Sequence, residues 1–164
     1  MKYSKPKTAS HIVARTYPSC LVDIDQLIFK DDDSLLEIGN EFDNSNVIDL
    51  DGVEILRAQS EKRNRKSTMD CTFAIIDDSK TEMLLVEFRF NYENLKNLNR
   101  NKLVDKVECS REILGDSITI NEDSIFIFQK TLKAQAESRL YRMYPRVPNN
   151  YVVMDLDDLK THYF

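Results

Sequence analysis

Two apolar segments separated by four polar residues dictate much of what this chain can become. DCTFAIID (70–77) and EMLLVEFRF (82–90) are short, rich in β-branched and aromatic residues, and joined by DSKT (78–81). Such segments read as neighbouring strands, with a tight turn at Ser79-Lys80. Pairing Asp78 with Thr81 sets an antiparallel register in which Asp77 meets Glu82, Thr72 meets Glu87 and Asp70 meets Arg89. Directly opposed residues share a face, with Cβ atoms roughly 5 Å apart. Cys71, Phe73, Ile75, Leu84, Val86, Phe88 and Phe90 then form a core face. Asp70, Thr72, Glu87 and Arg89 form a polar cluster on the other face, because residues two apart on a strand point the same way. A carboxylate and a guanidinium inside an otherwise buried strand either neutralise each other or serve chemistry.

The remaining elements follow from periodicity and punctuation. LVDIDQLIF (21–29) suits a strand or a short helix equally. DDDSLLEIGNEF (31–42) predicts a helix capped by Asp33 or Ser34, with Leu35, Ile38 and Phe42 as its apolar stripe and Glu37 and Glu41 four apart. NVIDLDGVEIL (46–56) reads as a hairpin turning at Asp51-Gly52, which sets Asp49 opposite Glu54. QSEKRNRKST (59–68) is a basic polar loop. A helix is expected over 92–114, stopped by Gly115. Strands are expected at 117–120 and 124–129, a second long helix at 131–144 ended by Pro145, and a last strand at 151–156 before a polar tail. The sum is a single α/β domain, residues 1–164, with a mixed central sheet and flanking helices.

Charge and composition narrow the function classes. The net charge of −5 argues against a general nucleic-acid coat protein. Acids dominate from Cys20 to Ser60, where Lys30 and Arg57 are the bases, whereas bases cluster at 61–66, 96–106 and 130–146. Local phosphate binding is compatible with that layout, and so is an ordinary solvated surface. Cys20, Cys71 and Cys109 are far apart and form no CxxC pair, so neither a zinc site nor a disulfide framework is expected, and reduced thiols in a cytoplasmic protein are. The basic N-terminus lacks the apolar stretch of a secretory signal, and no apolar run reaches bilayer-spanning length. His11 and His162 have no ligand partners at metal spacing, and neither a P-loop nor a G-x-S-x-G motif is present.

Asp70 opens one strand of the central pair, and Glu87-Phe88-Arg89 closes the next. Over roughly residues 31–130, these residues and the order of elements resemble the PD-(D/E)XK nuclease-like superfamily, whose restriction-endonuclease-like core runs αβββαβ. The resemblance implies a metal-dependent endonuclease acting on nucleic-acid phosphodiester bonds. It makes Asp70 and Glu87 the ligands of Mg²⁺, with the Phe88 carbonyl as a further donor and Glu37 or Glu41 as the auxiliary acid from the first helix. The bound ion would activate a water and offset charge building on the phosphate. Arg89 stands where lysine is usual. It can hold a phosphate through its fork but does not readily give up a proton. Lys102 or Lys106, from the following helix, could take the lysine's place.

The competing expectation is an inert descendant of that fold, in which Arg89 bridges Asp70 or Glu87 and occupies the metal position. The protein would then be a non-catalytic inhibitor, immunity-type protein or accessory subunit. Its acidic 23–54 surface, including Asp31, Asp32 and Asp33, would bind a basic protein partner. Arg139, Tyr141, Arg142 and Tyr144 interleave cations and aromatics, which suits nucleic-acid contact. Helix packing with snorkelling arginines explains them nearly as well.

Overall fold

The computed structural model describes residues 1–32, 41–92 and 94–164. In chain order the elements are β1 (Lys2–Tyr3), α1 (Lys5–Ser10), α2 (Ile12–Thr16), β2 (Leu21–Asp23), α3 (Ile24–Asp31), β3 (Asn46–Asp49), α4 (Leu50–Glu61), β4 (Cys71–Ile76), β5 (Thr81–Arg89), α5 (Arg100–Leu114), β6 (Ile120–Phe128), α6 (Lys133–Tyr141), β7 (Tyr151–Met154) and α7 (Leu156–Tyr163). Short 3₁₀ turns at Pro18–Cys20 and Leu95–Asn97 link them. The mixed sheet has the order β2-β3-β4-β5-β6-β7, antiparallel as far as β5 and parallel from β5 to β7. Beside β4, β3 pairs with Thr72 and Cys71 at one end, and β1 pairs with Ile75 and Ile76 at the other.

Alternation along β4 and β5 splits the core into two layers, as their period-2 pattern requires. Cys71, Phe73, Ile75, Leu84, Val86 and Phe88 pack with Ile24 and Ile28 of α3 and Leu159 of α7. Ala74, Met83 and Leu85 face the opposite way, against Val53 of α4, Leu103 and Val107 of α5, and Ala136 and Leu140 of α6. The result is a helix/sheet/helix sandwich. Polar residues on the second face of β4 and β5 therefore lie under α4 and α5.

The first 30 residues belong to this core. Thr8 Oγ1 accepts from the Ala74 amide at 2.9 Å, and His11 is buried, its Nδ1 accepting from the Val13 amide at 3.2 Å. LVDIDQLIF is both of its possible readings in turn: three residues of strand, then a helix begun by Asp23, whose side chain accepts from the Asp25 amide.

Several expectations are corrected. The hairpin over 46–56 is a strand followed by a helix. Asp49 accepts from the Gly52 amide at 2.8 Å and caps α4, so Asp51-Gly52 lies in the first helical turn. Leu50, Val53, Glu54 and Ala58 are buried at helical spacing, and an N-cap satisfies backbone groups that a two-residue turn would leave to the partner strand. The β4–β5 register is offset by two residues, with Ile76 opposite Thr81 and Thr72 opposite Leu85. The turn is longer because Asp77 accepts from Ser79 and Lys80. An offset of two keeps every side chain on its expected face. The two strands expected at 117–129 are one strand, β6, with a register shift opposite Met83/Leu85. The helix expected from residue 92 begins at Arg100 behind the Asn99 cap, and the polar tail is helix α7, started by an Asp155/Asp158 capping box. Most of the helix expected over 31–42 lies outside the described residues. Among the described residues no helix is long and apolar enough to cross a membrane.

Candidate active site

The two-residue offset brings Asp70, at the entry to β4, beside Glu87 rather than Arg89. Asp70 Oδ2 accepts from the Phe88 amide at 2.6 Å, and its own carbonyl accepts from the Leu50 amide at 3.1 Å. Glu87 is 1% exposed. Its Oε1 takes Lys106 Nζ at 2.7 Å and the Arg89 guanidinium at 2.9 Å. Lys106 Nζ also lies 3.9 Å from Asp70 Oδ1, so one ammonium spans both carboxylates. Glu87 Oε2 is buried and has no hydrogen-bond partner among the described residues.

Helix α5 is locked to the strand entry that carries Asp70. Ser110 Oγ accepts from the Met69 amide at 2.8 Å and donates to the Lys106 carbonyl at 2.8 Å. One hydroxyl thus fixes both the residue before Asp70 and the helical turn that carries Lys106. Arg89 is steadied by Tyr92, whose hydroxyl lies 3.1 Å from a guanidinium nitrogen and whose ring lies 5.6 Å from the guanidinium carbon.

A third carboxylate arrives from the other layer. Asp31, the last residue of α3, accepts from the Phe90 amide at 3.2 Å. With Leu27, Lys30, Asp49, Asp51, Asp70 and Phe88 it lines a cavity of about 130 Å³ at the strand ends. Burial dominates the acid–base behaviour here. It pushes Glu87 up to about 8, with Asp70 adding to the shift and Arg89 and Lys106 opposing it. It pushes Asp70 up to about 6, opposed chiefly by Lys106 and the Phe88 amide. Asp31 is also raised by burial, opposed by the Phe90 amide and by Arg89.

Of the residues singled out from sequence, Asp70, Glu87 and Arg89 converge. Lys102 is exposed near the start of α5, with its amide on the Asn99 cap. Lys106, one turn further on, is the lysine that reaches the carboxylates. Glu41 is exposed and paired with Lys160 of α7 at 2.8 Å, and Glu37 lies outside the described residues. Asp31 was singled out only as part of the acidic surface, not as a companion of Asp70 and Glu87. It sits in an acidic run, and its approach depends on how α3 crosses the sheet.

The basic stretch before β4 is largely neutralised. Arg63 pairs with Glu54 and Glu61, Arg65 with Asp51, and Lys66 with Glu112. Glu54 is therefore the buried anchor of that loop, not the partner of Asp49, and it also accepts from the Lys66 amide at 2.7 Å. Among the described residues no three His, Cys, Asp or Glu side chains come together closely enough to hold a metal ion by themselves. Comparison with protein-family models, curated proteins and solved structures gave no match.

Proposed function

We propose that the protein is a metal-dependent nuclease-like hydrolase of nucleic-acid phosphodiester bonds, of the PD-(D/E)XK type that its order of elements resembles. The meeting of Asp70, Glu87 and Lys106, from two paired strands and the helix that follows, carries this reading. The donor chemistry suits Mg²⁺, which takes one or two protein carboxylates and completes its shell with water and substrate oxygens. Glu87 Oε2 is a buried acceptor with no partner among the described residues, and Asp70 lines the cavity. Held by Asp70 and Glu87, the ion would lower the pKa of a water and offset charge on the scissile phosphate.

The chain's own groups do the rest. Lys106 links the two carboxylates and would hold a phosphate oxygen beside them. Arg89, oriented by Tyr92, is a phosphate clamp and not a proton acceptor. Asp31 takes the place of auxiliary acid that Glu37 or Glu41 was expected to fill. The test is cleavage of plasmid DNA and of RNA with Mg²⁺ or Mn²⁺, against Glu87→Ala. Metal-dependent cleavage lost in that variant supports the reading; its absence on both substrates overturns it.

A second reading has its own observation. Arg89 and Lys106 both close on Glu87 Oε1, so the cluster can serve as an internal ion pair in a non-catalytic protein. The acids around the cavity, Asp31, Asp49 and Asp51, would then face a basic protein partner. That reading expects no metal response, and loss of the partner on neutralising Asp31 and Asp32.

A further inference from the structure

The first turn of α5 and the end of α6 enclose a cavity of about 340 Å³, lined among others by Arg100, Arg139, Arg142 and Tyr144 and, among the described residues, by no carboxylate. Arg139 and Arg142 also line an adjoining groove with Gln135 and Ser138. Both arginines are exposed, and among the described residues neither has an ion-pair partner. Arg100 Nε donates to the Arg146 carbonyl at 2.9 Å, and the Arg146 guanidinium lies 5.4 Å from the Tyr141 ring centre. Tyr144 is 98% exposed and Tyr141 72%. Glu137 lines the neighbouring cavity together with Tyr141 and Arg146. Three arginines around one cavity, Arg100, Arg139 and Arg142, make a locally basic surface in a chain of net charge −5.

We infer that this surface holds a single strand of nucleic acid next to the cleavage site, with Arg139 and Arg142 on phosphates and Tyr144 stacked on an unpaired base. This deepens the nuclease reading above and rests on it. Charge complementarity selects a polyanion, and the arginine fork matches a phosphate through paired hydrogen bonds. Exposed aromatic rings among cations select bases, because each base offers a π-face when it is unpaired. An acidic peptide would satisfy the arginines and leave Tyr144 unused. The surface shares helix α5 with the site: Arg100 opens the helix, and Lys106 follows six residues later, about 9 Å along its axis.

The experiment is fluorescence anisotropy of a labelled 15-nucleotide single strand, as DNA and as RNA, in EDTA so that no cleavage occurs. Unlabelled duplex and polyglutamate serve as competitors. Wild type binds the single strand in preference to both. Arg139→Ala/Arg142→Ala weakens binding at least tenfold and lowers the slope of log affinity against log salt by about 1.4, near 0.7 for each phosphate no longer neutralised. Tyr144→Ala weakens binding about tenfold with the slope unchanged. Equal competition by duplex or by polyglutamate overturns the inference, as does unchanged affinity in the double variant with its melting temperature intact. Should the protein cleave nucleic acid while the double variant binds normally, the strand surface falls and the nuclease reading stands. Should the arginine-dependent binding hold without metal-dependent cleavage, the nuclease reading falls alone.

Discussion

Glu87→Gln is expected to stabilise the metal-free protein at alkaline pH and not at acid pH. A carboxyl whose folded-state pKa lies above its unfolded value holds its proton more tightly when folded, so its ionisation weakens the fold. For Glu87 the interval runs from 4.5 to about 8. About 3.5 pK units at 1.36 kcal/mol each give a penalty of about 5 kcal/mol, absent below pH 4.5 and fully developed above pH 8. Glutamine removes it and keeps an Oε1 for Lys106 and Arg89, but its amide NH₂ stands where the second carboxylate oxygen was, and that offsets part of the gain. A net gain of about 1–3 kcal/mol above pH 8 remains, or roughly 3–10 °C in melting temperature for a chain of this size. The assay is a set of thermal melts of both proteins in EDTA from pH 5 to pH 9. The informative quantity is the difference between the two curves, because the other titrating groups cancel in it. If the variant loses stability equally at every pH, or loses more as pH rises, Glu87 is not a desolvated carboxylate short of partners. Added Mg²⁺ should close the gap by stabilising wild type alone, since an ion bound to the folded state adds RT ln(1 + [Mg²⁺]/Kd).

Three further outcomes follow from other parts of the molecule. Arg63→Ala uncovers the Glu54 carboxylate, 1% exposed and held below the usual range by Arg63, and should lower the denaturant midpoint clearly more than Arg65→Ala, whose partner Asp51 stays in reach of water. Because Glu54 is shifted downward, its contribution is present above its unfolded pKa and disappears as pH falls through the folded one, so the cost of the substitution should shrink in acid. His11 is buried and its pKa lowered by desolvation. Its contribution is intact above pH 6.5 and is lost as pH falls below that value, so the difference between wild type and His11→Gln should narrow between pH 6.5 and pH 5. Gly115 has φ 61° and ψ −157°, a conformation open to glycine alone, and a Cβ placed there would meet nothing within 4 Å. Gly115→Ala should therefore cost about 1–3 kcal/mol in thermal or denaturant melts, through backbone strain only.

Legibility of the fold followed how local its causes are. The core face of β4 and β5 was readable because alternation depends on nothing beyond the strand, and it survived a two-residue error in register. The error arose at the turn, where the Asp77 side chain gathers the Ser79 and Lys80 amides and lengthens the link. At 46–56 two local signals competed. Asp-Gly favours a hairpin, whereas Asp49 as a cap with Leu50, Val53 and Ala58 inward favours a helix. The helix wins because its apolar face is covered by the α5 layer, a tertiary gain that the turn preference does not contain. The N-terminal segment was ambiguous for the same reason. Its short elements, β1 and α1, are held by β4 residues more than sixty positions away.

The candidate site was legible on the strands and opaque on the helices. Asp70, Glu87 and Arg89 could be grouped from strand periodicity, whereas the choice between Lys102 and Lys106 turned on how α5 packs against the strands. With the Asn99 cap, Lys106 stands one turn from Leu103 and one turn from Ser110, at the border of the buried stripe, and Ser110 ties that turn to Met69. Asp31 enters through packing of the opposite layer, which no spacing within the chain records. Together these residues put three carboxyl groups, Asp70, Glu87 and Asp31, within electrostatic reach of Lys106, and burial raises the pKa of each.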